Sequence, residues 1–102
     1  MSETEFDSTD YGPKTIKGSS ITEKGLSFVY KGIQREKGRF GTFYKVEVMV
    51  DGEEAELVFS SKGLGSLFEK HNEAFMDMEV IVCRYGKDEK TTYKVKLPQQ
   101  TL

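Results

Sequence analysis

The sequence contains no tryptophan, one cysteine, one histidine and two prolines, and no apolar stretch of membrane-spanning length. Each scarcity removes a class of protein. Cys83 alone cannot form an internal disulfide or supply a cysteine cluster for a metal, and Ile81, Val82 and Tyr85 around it mark it as a small strand residue. His71 falls in the last turn of an expected helix, where a cation suits the helix dipole, so it reads as structural. No run approaches the roughly 18 apolar residues of a membrane span, and no basic-then-apolar leader opens the chain. The expectation is a soluble, intracellular, cytoplasmic protein in a reducing compartment. One His, one Cys and acids in solvated runs give no paired acid and base, no activated nucleophile and no metal cluster, and GRFG lacks the spacing and following helix of a phosphate-binding glycine motif. No catalytic residue, metal or cofactor is expected.

What the chain does have is charge, at 31% of its residues, with 36% hydrophobic. The net charge of −2 hides a segregation. Residues 1–23 hold five acids and two bases, 24–50 two acids and six bases, 51–79 eight acids and two bases, and 80–102 two acids and five bases. If the two positive segments meet in space, a basic face sits on an acidic body, and the local field is what steers a ligand. At 102 residues the chain is one domain, long enough for a core without disulfide or metal staples.

The segment from Lys31 to Val50 organises the rest. Lys31, Arg35, Lys37 and Arg39 surround Gly38, Gly41, Phe40 and Phe43. Alternation then sets Tyr44, Val46, Val48 and Val50 on one side of a strand and Phe43, Lys45, Glu47 and Met49 on the other. One side is a core; the other mixes rings with cations.

Residues 1–20, rich in Ser, Thr, Asp, Glu and Gly, read as an acidic flexible arm in which Phe6 and Tyr11 are the residues able to pin it. Ile21 to Gln34 reads as a long first strand that bends at Gly25 or Gly32. The Arg35–Gly41 segment makes the turn into the second strand. Asp51-Gly52 fits a tight type I′ hairpin turn, and Glu54 to Ser60 follows with Ala55, Leu57 and Phe59 inward and Glu54, Glu56 and Val58 outward. Leu64, Leu67, Phe68 and His71 recur at helical spacing over 61–72, capped by Ser60 or Ser61, or by a capping box from Ser66 to Glu69. Met78 to Tyr85 and Thr91 to Leu97 are the last two strands, the latter alternating Tyr93, Val95 and Leu97 with Thr92, Lys94 and Lys96. Residues 99–102 are a short tail.

The expected fold is all-β with one short helix, ordered β-β-β-α-β-β: a five-stranded Greek-key barrel of the oligonucleotide-binding (OB) type over residues 21–98. The bent first strand, the KGRFGTFYKVEV second strand, DGEEAELVF, the Ser-Lys-Gly-Leu helix opening and the MEVIVCRYG and TTYKVKL hairpin together resemble the small OB-fold single-stranded DNA-binding proteins of viruses and microbes. The chain departs from them in lacking tryptophan and in carrying its acidic arm at the N-terminal side.

The resemblance implies a ligand surface on the second and third strands and on the loops joining strands one to two and four to five. On this chain it assigns Arg35, Lys37, Arg39, Phe40, Phe43 and Lys45, then Arg84, Tyr85, Lys94 and Lys96, with Lys87, Lys90 and Tyr30 as further candidates. Rings stack on unpaired bases, and Arg and Lys neutralise phosphates, with weak sequence preference. The expected partner is single-stranded DNA, or RNA, without catalysis, in replication, recombination or repair; edge strands allow a homodimer. The other reading is a protein-binding accessory or inhibitor module acting through the acidic 51–56 stretch and the arm.

Overall fold

The computed structural model describes residues 14–87 and 90–98. The elements are β1 (Lys14–Lys17), a 3-10 turn (Gly18–Ser20), β2 (Leu26–Gly38), β3 (Gly41–Val50), β4 (Glu53–Phe59), α1 (Lys62–Lys70), α2 (Asn72–Phe75), β5 (Glu79–Tyr85) and β6 (Thr92–Lys96). The strands form one sheet in the order β1-β4-β3-β2-β5-β6, antiparallel except where β1 runs parallel to β4. The sheet curls into an incomplete barrel. The all-β class holds, but the described residues form six strands rather than five, and the order differs: β1 and the 3-10 turn come ahead of the expected elements, and a second short helix, α2, follows α1. The extra strand comes from 14–17, within the segment expected to be an arm, while Phe6 and Tyr11 lie outside the described residues.

Local chemistry accounts for most of the elements. Asp51 and Gly52 take φ of 51° and 81°, the positive pair that a type I′ turn needs between β3 and β4. The bend in β2 is a register shift between Tyr30 and Gly32, with Gly32 at φ 139°. That bulge lets one strand serve two neighbours: Leu26–Val29 pair with β5, and Val29 to Gly38 pair with β3. Beyond the bulge, Arg35 to Gly38 continue β2 as regular strand instead of turning, so the hairpin with β3 closes only at the Gly38–Gly41 pair. Ser61 caps α1, its hydroxyl accepting from Leu64 N–H at 3.2 Å, whereas Ser66 lies inside the helix and caps nothing.

The core gathers the inward side of β2 to β5: Phe28, Tyr30, Tyr44, Val46, Val48, Ala55, Leu57, Phe59, Val80 and Val82. Phe68 of α1 sits at its centre, stacked on Tyr30 at 5.2 Å and within 6.4 Å of the Phe28 and Phe59 rings. Burial of one such ring is worth about 1.5–3 kcal/mol, so a two-turn helix docked through Phe68 and Leu64 is held by packing rather than by propensity. Tyr30 therefore belongs to the core and not to a ligand groove; its hydroxyl donates to Asn72 Oδ1 at 2.5 Å. Cys83 is buried on its strand. No described helix is long and apolar enough to cross a membrane.

Candidate nucleic-acid interface

Three groups of the expected residues have different fates. At the hairpin tip, Arg39 and Phe40 are the two turn residues, and Phe40 is 98% exposed. Gly41 at the closing pair, at φ 118°, lets the chain reverse there. Lys37, two residues back on β2, is exposed opposite Thr42.

Arg35 is a correction. Past the bulge, the phase of β2 is such that Arg35 lies opposite Tyr44, on the inward face. Its guanidinium sits 5.8 Å from the Tyr44 ring centroid and donates through Nε and Nη2 to the Glu69 carboxylate at 3.2 and 2.7 Å. That hydrogen-bonded carboxylate, and then its charge, raise the arginine's pKa further. Arg35 thus ties the hairpin to α1 and is not on the ring-and-cation side.

The outward face of the sheet follows the expected alternation. Lys45 lies opposite Gln34 on β2 and Val58 on β4, and Val58 lies opposite Lys17 on β1, so a row of side chains crosses four strands with a lysine on two of them. Phe43 precedes this row, half-buried and opposite Glu36, its ring packed so closely on Gly38 that a Cβ there would lie 3.0 Å from it. Lys17 was not foreseen, because the Ser- and Thr-rich segment around it conceals the short alternation of Lys14, Ile16 and their neighbours. One row further along the strands, Glu47 lies opposite Glu56, and beyond it Met49 opposite Glu54. The outward face therefore changes sign within a single strand repeat.

The last hairpin divides by the same parity. Tyr85, Lys94 and Lys96 point outward from β5 and β6, and the Lys94 ammonium lies 5.4 Å from the Tyr85 ring centroid. Arg84 and Tyr93 point the other way and meet Phe43, Val58, Phe59 and Lys17 around a groove of about 590 Å³. This groove marks the seam of the curled sheet. Where β4 and β6 face each other, Gly18 fits between them, and a Cβ on it would meet Phe59 Cβ at 2.8 Å and the Tyr93 hydroxyl at 3.2 Å. The Nε of Arg84 is buried there with no hydrogen-bond partner among the described residues. An unmet buried donor costs about 1–3 kcal/mol.

The segregated positive segments are thus joined in part. Phe43 and Lys17 share a groove with Arg84 and Tyr93; Phe40 and Arg39 stand at the hairpin tip; Lys94 and Lys96 occupy the outer side of the closing hairpin. Among the described residues, two ion pairs form, Arg35 with Glu69 and Lys31 with Asp77, leaving Lys37, Arg39, Lys45, Arg84, Lys94 and Lys96 without a carboxylate partner. No three His, Cys, Asp or Glu side chains among the described residues converge as a metal-binding group. Compared with protein-family models, with curated proteins and with solved structures, the chain finds no match.

Proposed function

We propose that the protein is a non-catalytic single-stranded DNA-binding protein, built on an OB-type barrel with an added N-terminal strand, that acts in replication, recombination or repair. The observation that carries this reading is the Phe40 ring, 98% exposed on a hairpin tip beside Arg39, with Phe43 and Lys45 continuing along β3 below it. A ring that gains nothing from the core, near cations that have no carboxylate partner among the described residues, is suited to an unpaired base and its phosphates. Stacking contributes about 1–3 kcal/mol per base and does not depend on base identity, so weak sequence preference follows.

The test is fluorescence anisotropy with labelled single strands of DNA and RNA and with a duplex, at several salt concentrations. Phe40→Ala is expected to weaken single-strand binding by about 1–3 kcal/mol without loss of stability. Neutralisation of about four phosphates gives a slope of log K against log salt near −3, at about −0.7 per contact. Absence of any anisotropy change with all three ligands at low salt and micromolar protein would end the proposal.

A second reading, a protein-binding accessory or inhibitor module, is favoured by one feature: Glu47 directly opposite Glu56 with Glu54 one row beyond. Like charges facing each other across strands destabilise a sheet, and a basic partner would relieve them. Arg39→Glu with Lys45→Glu separates the two, since it abolishes single-strand binding under the first reading and leaves partner binding intact under the second.

A further inference from the structure

The seam groove has a composition that the hairpin tip lacks. Two of its walls are aromatic, Phe43 from β3 and Tyr93 from β6, and two of its side chains are cationic, Lys17 and Arg84. Neither cation is paired with a carboxylate among the described residues, and the buried Nε of Arg84 has no acceptor. Ser61 and Thr91 also line the groove. Ser61 is also the N-cap of α1, so the positive end of that nine-residue helix opens toward the same space. A volume of about 590 Å³ accommodates a small organic ligand, not merely an ion.

The groove exists because β1 and its turn, rather than β6, occupy the free edge of β4. Gly18 lies between Phe59 and Tyr93, where the lack of a Cβ lets the seam close tightly, and Lys17 beside it lines the groove from β1. Flat rings beside two cations that have no carboxylate partner among the described residues suit an aromatic base carrying a phosphate.

We infer that the seam groove is a single-nucleotide subsite, in which one nucleotide turns out of the bound strand, places its phosphate on Arg84 and Lys17 and lays its base against the Phe43 and Tyr93 walls. This rests on the single-strand reading and goes beyond it by giving one nucleotide a separate pocket. A free nucleoside monophosphate presents the same chemistry and is the probe.

The experiment titrates the full-length protein with deoxythymidine 5′-monophosphate, thymidine and inorganic phosphate, followed by NMR shifts, alongside an oligothymidine measured by anisotropy. The monophosphate is expected to bind at least tenfold more tightly than either thymidine or phosphate. Arg84→Gln and, as a variant at an exposed position, Lys17→Gln should each weaken it about tenfold, while Arg39→Glu at the hairpin tip leaves it unchanged. Oligothymidine binding without monophosphate binding overturns the subsite and leaves the single-strand reading standing; failure of both ligands removes both. Phosphate binding as tight as the monophosphate, or monophosphate binding indifferent to Arg84→Gln and Lys17→Gln, also overturns it.

Discussion

Gly65 sits in α1 where the ring of Tyr44 lies against the helix backbone, and a Cβ at this position would overlap that ring. Tyr44 is held from its other sides by Phe59, stacked at 5.5 Å, and by the Arg35 guanidinium, so it cannot retreat. Gly65→Ala, which helix propensity alone would favour by about 1 kcal/mol, is therefore expected to destabilise the protein by about 1–3 kcal/mol, readable in a denaturant melt. Tyr30 gives a second measurable effect. Burial, and then the charge of Glu69, push its phenol up to about 12 from 10.0. The folded state holds the proton more tightly than the unfolded chain, so this stabilisation is complete below pH 10 and disappears as pH rises through 12. Stability should fall by on the order of 2 kcal/mol across that window, with one tyrosine ionising late in an absorbance titration. Neither residue's role was legible locally. The inward set Tyr44, Val46 and Val48 was, because a strand period of two needs only its own neighbours. The closeness of Gly65 to Tyr44 and of Tyr30 to Phe68 comes from packing between segments distant along the chain.

At the level of elements, the hairpin of β2 and β3 is longer than its sequence advertises. Arg35 to Gly38 carries charge and glycine, which imitates a turn, yet each residue pairs with β3 down to Gly41. Extending the strand by those residues, after a bulge that shifts its phase, is what moves Arg35 from the expected binding surface to a bond with Glu69, 34 positions away in sequence. Its side chain remains 59% exposed, so the pair is screened by solvent. Arg35→Gln should leave the denaturant midpoint nearly unchanged and single-strand affinity within about twofold, in contrast to Arg39→Glu, which removes a tip cation. Comparable losses of affinity in both variants would contradict this division of roles. β1 leaves little local signal for a related reason. Four residues paired in parallel to β4, across some 40 intervening residues, leave only Ile16 and its alternating neighbours as a local trace. By contrast, the Asp51-Gly52 turn and the β3–β4 hairpin around it were readable, since they depend on signals a few residues apart.

For the molecule as a whole, the net charge of −2 is less informative than where its sign changes. Lys45 and Glu47 occupy the same face of β3 one strand repeat apart, about 7 Å, with Lys17 across the sheet from the first and Glu56 opposite the second. A strand bound along Lys45 thus lies within one Debye length, about 10 Å at 0.1 M salt, of an acidic row that repels it. Under the single-strand reading, that row would confine the polyanion to the hairpin tip and seam and lower its affinity. Glu47→Gln with Glu56→Gln should therefore raise single-strand affinity severalfold at about 0.02 M salt, chiefly through the association rate, and by a margin that vanishes near 1 M, where the screening length is about 3 Å. The same double variant relieves a cross-strand repulsion and should stabilise the fold by about 0.2–1 kcal/mol. A gain in stability without any salt-dependent gain in affinity would mean that the acidic row faces a different partner, as the protein-docking reading requires.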